Sequence, residues 1–431
     1  MNDRTADILE AVDAGFDDEV QFIADLVRFP STRGNEEDAQ RFMADAFELR
    51  GYAVDVWKVN VDDISSLPGF SPVDVSYENA FNVVATSRSR RSTGRSLILN
   101  GHVDVVPEGP HGMWETPPYE PRREGQWMYG RGIGDMKSGL VANMFALDAL
   151  RNLGCRPAAD VFVQSVIEEE CTGNGTLACL QRGYEAEAAL IPEPFDEQLI
   201  QAQVGVVWFK IRLKGVPVHV LEAGSGFNAI EAFIPLVDAL HTLESTWNAP
   251  DRRNIYFADI DNPLNLNVGM IRGGDWASSV PAWCDVDLRM AVFPGQSVAQ
   301  LTKEIEACLH DAAATMPYLE ENPPEIVYNG FLAEGYALAD DTTPAAKGAI
   351  AALETAHRAA SGDDLVRLST TATTDARFFG LNAGIPALVY GPKAERIHGL
   401  DERVDLESVR RVTGAIALFV ADWCGLEPLS S

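Results

Sequence analysis

The chain has 431 residues, of which 46% are hydrophobic and 23% are charged, a globular composition long enough for two domains. Its 34 basic and 64 acidic side chains give a net charge of −30, which argues against nucleic acid or an anionic membrane as a partner. The apolar runs are too short to span a membrane, and the acidic start lacks the layout of a signal peptide, so we expect a soluble cytoplasmic protein. The six cysteines form no CxxC pair, and we expect them to be reduced thiols.

Helices and strands alternate along the first part of the chain. Apolar residues recur at helical spacing over residues 19–29, 36–51 and 140–154, which predicts a helix in each segment. Alternating or continuous apolar runs predict strands at residues 52–57, 81–87, 96–106, 160–170, 188–194 and, far downstream, 385–392. This order is typical of an α/β fold in which helices flank a mostly parallel sheet.

The order of predicted helices and strands changes at about Val204. The segment that follows is predicted to contain a strand at 204–215, a helix at 228–243, strands at 265–274 and 282–293, a helix at 297–314 and a short strand after Pro324. This order indicates an inserted two-layer α+β domain. We therefore predict a catalytic domain formed by residues 1–203 and 331–431, interrupted by an inserted lid and dimerisation domain at residues 204–330.

Polar side chains stand at the ends of the predicted parallel strands or just beyond them: His102, Asp104, Glu168, Glu169, Glu170, Glu193 and His398. Asp135 lies in the glycine-rich segment YGRGIGDMKSG, which lacks both the third glycine of a dinucleotide fingerprint and the Lys-Ser/Thr ending of a phosphate loop. Open α/β sheets keep their chemistry at the carboxyl ends of their strands. These side chains are therefore candidates for one functional site.

Three adjacent carboxylates repel one another, and their burial in a cleft is costly unless cations compensate. Taken singly, a histidine is more often a hydrogen-bonded structural residue and a glutamate run more often a solvated face. Two histidines and three carboxylates at the ends of successive strands instead suit a pair of zinc-like ions. Two such ions carry a charge of +4, three carboxylates reduce it to +1, and a bridging hydroxide would neutralise the remaining charge.

Several motifs carry a resemblance to a known family. The segments GHVDVVPEG, WETPPYEP, YGRGIGDMKSG, EEECTG and PEP and the late histidine occur in the same order as in the family that contains acetylornithine deacetylase, succinyl-diaminopimelate desuccinylase, aminoacylase and the glutamate carboxypeptidase. The resemblance extends over nearly the whole chain. It implies the α/β fold with an inserted lid, two bound zinc ions for which cobalt or manganese could substitute, and amide hydrolysis.

Carried over by position, the resemblance implies that His102, Asp135 and Glu193 hold one metal ion. Asp135, Glu170 and His398 would hold the other, so that Asp135 bridges the two ions.

The resemblance also implies that Glu169 is the general base. It would take a proton from a shared water, whose pKa the metals lower, and deliver that proton to the leaving amine. Asp104 would orient His102 without binding metal. The family usually has Asp-Glu-Glu where this chain has three glutamates, and a shift of one residue would exchange the base with the ligand Glu170.

His219 lies in the segment GVPVHVLEAGSG, which resembles a family motif whose histidine stabilises the oxyanion in the active site of the neighbouring subunit. The resemblance therefore implies a homodimer joined through the inserted domain. The alternative interpretation of His219 is an ordinary histidine of a surface loop.

The resemblance places Arg289 and Asn267 near the substrate, and Thr374, Asp375 and Arg377 are further candidates for substrate binding. Arg289 is a candidate for binding a substrate carboxylate, or else pairs with its strand neighbours. The segment LSTTATTDARFFG departs from the family's glycine-rich turn, so its residues shape the substrate pocket or merely close the domain junction.

The predicted function is removal of the acyl group from an N-acyl amino acid or similar small amide by metal-activated water. A di- or exopeptidase and a deformylase of a small heterocyclic amide remain as alternatives, because all three would share the metal chemistry. A catalytically silent small-molecule-binding protein is the alternative outside enzymes.

Overall fold

The computed structural model describes residues 4–429, so residues 1–3 and 430–431 of the predicted catalytic domain lie outside the described range. The helices are α1 (Thr5–Val27), α2 (Glu37–Leu49), α3 (Val61–Ile64), α4 (Ser138–Asn152), α5 (Asn174–Gln181), α6 (Ala229–Trp247), α7 (Val298–Ala313), α8 (Pro317–Glu321), α9 (Pro344–Ser361) and α10 (Leu406–Trp423). The strands are β1 (Ala53–Lys58), β2 (Phe81–Ser87), β3 (Leu97–His102), β4 (Arg122–Glu124), β5 (Trp127–Tyr129), β6 (Cys155–Pro157), β7 (Val161–Val166), β8 (Ala189–Ile191), β9 (Leu199–Gln203), β10 (Gly205–Lys214), β11 (Leu266–Gly273), β12 (Trp283–Val292), β13 (Glu325–Val327), β14 (Leu332–Ala333), β15 (Arg367–Thr370), β16 (Ala387–Val389), β17 (Ala394–Glu395), β18 (Arg403–Asp405) and β19 (Leu426–Pro428).

The larger sheet has six strands in the order β1-β2-β7-β3-β8-β16. The strands β7, β3, β8 and β16 run parallel, and β1 and β2 are antiparallel to their neighbours at one side. The predicted α/β class with a mainly parallel sheet is therefore confirmed. Because four parallel strands end at the same edge, the residues that follow them come close together.

The sheet is covered by helices whose apolar faces form one large hydrophobic core. Helix α4 packs on β3 and β7, and α1 and α10 pack on α4. All six residues of β3 are buried, as expected of a central parallel strand covered on both faces. Asp405 fixes the start of α10, because its carboxylate accepts hydrogen bonds from the backbone N–H groups of Glu407 and Ser408.

A second, antiparallel sheet has the order β11-β12-β10-β13, with β14 also paired to β10. Helices α6 and α7 pack against each other, and α6 packs on this sheet over a separate hydrophobic cluster. Along β12 the residues alternate, with Val286 and Leu288 buried while Asp287 and Arg289 are half-buried. This alternation turns Arg289 away from the core of the second sheet.

No helix within residues 4–429 is long and apolar enough to cross a membrane. All six cysteines are free thiols, and five of them are buried.

Candidate metal centre

The carboxyl ends of the parallel strands bring the predicted site residues together. His102 is the last residue of β3 and is in register with Val166, the last residue of β7. Glu169 follows β7 and Glu193 follows β8, whereas His398 lies on the loop between β17 and β18. The arrangement of strands explains how residues almost 300 positions apart in a chain of 431 meet at one edge.

His102 is fully buried and is oriented by the backbone that follows it. Its Nδ1 donates a hydrogen bond to the carbonyl oxygen of Asp104 at 2.9 Å, which directs the other ring nitrogen, Nε2, toward the neighbouring carboxylates. Nε2 lies 3.3 Å from Asp135 Oδ1 and 3.8 Å from Glu193 Oε1. This is the ring orientation that a metal-binding histidine needs, with Nε2 facing carboxylates that could share the ion.

The carboxylate of Asp104 holds the acidic segment rather than contacting His102 closely. Its oxygens accept hydrogen bonds from the backbone N–H groups of Glu169 and Glu170 at 3.3 and 3.1 Å, while Oδ1 lies 3.5 Å from His102 Nδ1. Burial raises the pKa of Asp104 to about 7. Asp104 therefore links the orientation of His102, through its carbonyl group, to the position of the two glutamates.

Asp135 lies between the two histidines. Its Oδ1 is 3.3 Å from Nε2 of His102, and its Oδ2 is 3.3 Å from Nε2 of His398. Burial would raise the pKa of Asp135, but the two neighbouring imidazoles of His102 and His398 outweigh it and hold the pKa well below its usual range. One carboxylate thus presents an oxygen to each side, as a residue that bridges two ions must do.

The turn that carries Asp135 is fixed by a residue that the sequence analysis did not identify, Glu402. One carboxylate oxygen of Glu402 accepts hydrogen bonds from Gly134 N and Asp135 N at 2.9 and 3.1 Å. The other oxygen accepts from Gly132 N at 3.0 Å and from Arg131 Nη1 at 2.6 Å. Arg131 and Glu402 are both buried, so this ion pair is a rigid frame for the turn.

The signal for this frame was present in the sequence. Arg131 stands inside a glycine-rich motif whose neighbours are otherwise uncharged until Asp135, and a buried arginine requires a carboxylate partner. Gly132 is needed in the same turn, since its φ is +76° and an added Cβ would lie 2.2 Å from Val105 Cγ1.

The three consecutive glutamates have different surroundings. Glu168 is bound by Arg33 Nε at 2.5 Å, by the Tyr77 hydroxyl at 2.8 Å and by the Thr172 hydroxyl at 2.9 Å. Its carboxylate is therefore fully engaged. Glu169 and Glu170 instead line the cavity at the strand ends.

The cluster attracts positive charge. Burial, reinforced by the Glu193 carboxylate, raises the pKa of Glu169 well above its usual value. Glu170 Oε2 lies 3.0 Å from His398 Nε2, and the Glu170 carboxylate raises the pKa of His398 to about 11. For His102, the surrounding carboxylates outweigh burial and also raise the pKa well above its usual value.

The residues present fit a bound metal centre. His102 Nε2, Glu169 Oε1 and Glu170 Oε1 are buried yet have no hydrogen-bond partner, which is costly unless another group satisfies them. Among residues 4–429, two sets of side chains each bring three ligand atoms within 4.8 Å of one another, namely His102 with Asp135 and Glu170, and His102 with Glu169 and Glu193. Neither set coincides with the three ligands predicted for one ion. The predicted division of the ligands between two ions therefore stays a prediction.

A cavity of 450 Å³ opens beside these carboxylates. Its apolar wall contains the aromatic rings of Phe195, Trp208 and Phe331, and a polar wall is formed by residues 370–374. Trp208 and Phe331 pack edge to face, with ring centroids 5.2 Å apart. The cavity can therefore hold a small, partly apolar molecule next to the acidic cluster.

Arg289 lines this cavity and donates a hydrogen bond to Asn265 Oδ1 at 2.8 Å. No carboxylate of the described chain lies within 4 Å of its guanidinium, and burial lowers its pKa. Asn267 is in register with Arg289 but lines an adjoining cavity of 260 Å³, to which Trp208 and Arg289 also belong. Arg289 is thus a cation without a carboxylate partner in the cavity wall. Asn267 lines only the adjoining cavity and does not line the cavity beside the acidic cluster.

Thr374 lines the cavity, but its side chain donates a hydrogen bond to Gln203 Oε1 at 2.7 Å. Asp375 and Arg377 are buried behind that wall and are not among the cavity-lining residues of the described chain. Asp375 accepts a hydrogen bond from the Thr176 hydroxyl at 2.6 Å, and Arg377 donates to backbone carbonyl groups. The predicted contact of Asp375 and Arg377 with substrate stays a prediction, and the structure gives both residues a supporting position.

His219 is not brought to the acidic cluster of its own chain. It lies in an exposed loop of the second sheet's domain, and its Nδ1 accepts a hydrogen bond from Leu221 N at 3.1 Å.

Comparison with known proteins gives consistent findings. The model of Peptidase family M20/M25/M40 matches residues 98–422. The chain is 28% identical over 438 residues to N-formyl-4-amino-5-aminomethyl-2-methylpyrimidine deformylase of Halalkalibacterium halodurans, with 97% of each chain covered. It is 24% identical over 413 residues to succinyl-diaminopimelate desuccinylase of Delftia acidovorans, with 91% of this chain and 95% of that one covered. Its fold matches the di-peptidase Dug1p from Saccharomyces cerevisiae with a TM-score of 0.78 at 14% identity, over 98% and 99% of the two chains.

Proposed function

The chain belongs to Peptidase family M20/M25/M40, and from that membership we propose that it hydrolyses the amide bond of a small N-acyl compound, with Glu169 as general base. Its relatives include a deformylase and a desuccinylase, so the protein is a hydrolase of amide C–N bonds. The observation that carries the proposal is the Glu169 carboxylate. It is buried, it has one oxygen without a hydrogen-bond partner, and it lines the cavity beside the two histidines.

We assign the ligands of two ions to the residues around Asp135: His102 and Glu193 on one side, and Glu170 and His398 on the other. The mixture of imidazole and carboxylate donors suits zinc, and cobalt or manganese could replace it. When bound, such ions polarise a carbonyl group and make water acidic enough to be deprotonated near neutral pH.

Glu169 takes a proton from the attacking water and returns it to the nitrogen of the leaving amine. Both transfers need a carboxylate that no other group engages, and Glu169 meets this requirement whereas Glu168 does not. Asp104 holds the backbone of Glu169 and Glu170, so the base and the adjacent ligand keep a fixed relation.

We propose that His219 of a second copy completes the site by stabilising the oxyanion. Support comes from the exposed edge strand β11, where Met270 and Ile271 are each 51% exposed, and from Ile234 on the neighbouring helix α6, which is 57% exposed. An unpaired strand edge beside exposed apolar side chains favours pairing with a second copy. The protein is then a homodimer joined through its second sheet.

Mixed dimers test this arrangement. Co-expression of His219→Ala with Glu169→Gln yields heterodimers. If His219 acts in the partner's site, one of the two sites in each heterodimer has both residues intact; if it acts in its own chain, neither site does. Each homodimeric variant is expected to be inactive, and random pairing restores about a quarter of wild-type activity. No restoration, together with heterodimers seen by native mass spectrometry, would contradict the arrangement.

We propose an N-acyl amino acid or a similar small amide that bears a carboxylate as substrate. The support is Arg289, a half-buried guanidinium in the cavity wall whose only hydrogen-bond partner in the described chain is an amide, and which matches a carboxylate in geometry and charge.

A formamide of a small heterocycle is the second candidate. The aromatic rings of Phe195, Trp208 and Phe331 offer a flat apolar wall, and the relative from Halalkalibacterium halodurans is named for deformylation of a pyrimidine compound. A panel of N-acetyl and N-succinyl amino acids, N-formyl aminomethylpyrimidines and dipeptides separates the candidates by kcat/KM. Hydrolysis of dipeptides alone would contradict both proposals and favour the peptidase.

We place the enzyme in the cytoplasm. The support is its six unpaired cysteines, which fit a reducing compartment.

A further inference from the structure

A second polar cavity, of 210 Å³, lies at the opposite edge of the larger sheet. We call it the arginine cavity, and its polar lining consists of Tyr52, Thr86, Ser87, Arg88, Arg151 and Arg156. Ser87 is in register with Val161, the first residue of β7, whereas His102 is in register with Val166, the last. The arginine cavity and the candidate metal centre are therefore separated by the length of β7, about 17 Å at the usual rise of a strand.

The charge of the arginine cavity is opposite to that of the protein. Three arginines line it and no Asp or Glu does so within residues 4–429, although acidic side chains outnumber basic ones by 64 to 34 in the whole chain. A cationic concavity in so acidic a protein concentrates small anions from solution.

These arginines keep donors available. Arg156 donates through Nε to Glu427 at 2.8 Å, but its Nη2 is buried and has no hydrogen-bond partner. Arg151 has no carboxylate within 4 Å in the described chain and stacks over the Tyr52 ring, 5.4 Å from the centroid. Arg88 makes only a long contact of 3.7 Å with Asp160. Arg156 and Arg88 thus each have one carboxylate partner outside the cavity lining, and Arg151 has none within 4 Å, so guanidinium donors remain available to the cavity.

Hydroxyl groups add to these donors. The Tyr52 hydroxyl is buried and has no acceptor for its proton among the described residues, and burial raises its pKa, so it stays protonated and can donate. Thr86 and Ser87 add two further hydroxyls to the lining. Buried donors without acceptors are uncommon in folded proteins and point to a missing acceptor group.

We propose that the arginine cavity binds a phosphate-type oxyanion, either free inorganic phosphate or the phosphate group of a compact phosphomonoester. Guanidinium and hydroxyl donors arranged around one small space match an anion with several acceptor oxygens. The volume admits a phosphate group with a short substituent and is too small for a nucleotide.

Calorimetric titration of the metal-loaded protein with inorganic phosphate, at constant ionic strength maintained with potassium chloride, tests the proposal. The wild type is expected to bind phosphate, and Arg151→Gln to bind it at least tenfold more weakly. Tyr52→Phe, which removes one donor without removing a charge, is expected to weaken binding severalfold. Arg91→Gln is the matched control, because Arg91 is an exposed arginine of the adjoining loop that does not line the cavity, and it is expected to bind like the wild type.

Equal phosphate affinity in the wild type, Arg151→Gln and Tyr52→Phe would overturn the proposal, since the phosphate would then bind elsewhere, for example at the metal centre. No heat of binding in the wild type at millimolar phosphate would overturn it as well. A short phosphomonoester such as glycerol phosphate that competes for the same site more tightly than phosphate identifies the esterified form as the ligand, and weaker competition identifies free phosphate.

Discussion

Replacement of Glu402 by glutamine is expected to destabilise the protein and loosen the turn that carries Asp135. The Glu402 carboxylate accepts four hydrogen bonds, one from the buried Arg131 and three from backbone N–H groups. Glutamine keeps one acceptor oxygen and presents an amide donor in place of the other. It therefore leaves either the arginine with Gly132, or the N–H groups of Gly134 and Asp135, without an acceptor.

The magnitude follows from burial. Removal of one partner from a buried ion pair costs about 3–5 kcal/mol, because the remaining charge has no compensation. A buried N–H group without an acceptor costs about 1–3 kcal/mol, so the loss of two gives a similar figure. We expect Glu402→Gln to lower the free energy of unfolding by about 3–5 kcal/mol and to weaken metal binding by about 10–100-fold.

Urea unfolding of the metal-free protein, followed by tryptophan fluorescence, measures the first effect without a contribution from bound metal. Competition with a chelator measures the second. Glu395→Gln is the matched control, because Glu395 pairs with Arg403 at the surface, where its side chain is 38% exposed, and such pairs contribute about 0–1 kcal/mol. If Glu402→Gln were no more destabilising than Glu395→Gln, and metal affinity were unchanged, the assigned role of Glu402 would be refuted.

Three further predictions concern other charged groups. Burial outweighs the hydrogen bond from Thr413 and raises the pKa of Glu19 to about 8. Between about pH 4.5 and 8 the Glu19 carboxyl therefore holds a proton in the folded protein that it loses in the unfolded chain, so the free energy of unfolding falls as pH rises through that range. Glu19→Gln should remove this loss in thermal melts, and an identical pH dependence in both proteins would contradict the prediction. Glu168→Gln should lower the melting temperature, since it removes the buried one of the two carboxylates that pair with Arg33, yet retain two metal ions per chain; loss of a metal would show that Glu168 is a ligand. Arg289→Met should raise KM at least tenfold for carboxylate-bearing N-acyl amino acids and leave KM for uncharged formamides nearly unchanged, which steady-state kinetics will measure; an equal change for both substrates would exclude a carboxylate contact.

The sequence predicted the site's location better than its supporting contacts. Polar residues at the ends of apolar strands could be recognised in advance, because parallel strands of one sheet end at a common edge. Arg131 in the glycine-rich motif signalled a carboxylate partner, but the identity of that partner, Glu402, could not be recognised, because its contact with the Asp135 turn joins residues 267 positions apart. The different surroundings of Glu168 and Glu169 were equally hidden, since only the structure shows that Arg33 and Tyr77 engage the first of them.

The limits of the first helix show a similar effect. The periodic segment predicted a helix over residues 19–29, whereas α1 extends over Thr5–Val27. Ile8 and Val12 continue its buried face across a stretch rich in acidic residues, so the charge there obscured the pattern. Segment boundaries in the second sheet were predicted more closely because buried and more exposed residues alternate over most of both strands, from Val207 to Lys214 in β10 and from Trp283 to Met290 in β12.

The central claim is tested most directly by metal content per chain, measured together with amide hydrolysis, for the wild type and Glu169→Gln. We expect about two metal ions per chain in both proteins and a loss of turnover of about 10²–10⁴-fold in the variant, because in the proposed mechanism Glu169 moves protons and does not hold metal. Loss of a metal ion in Glu169→Gln would contradict this account and make Glu169 a ligand. A wild type that neither binds metal nor hydrolyses any amide of the panel would contradict the assignment as an enzyme.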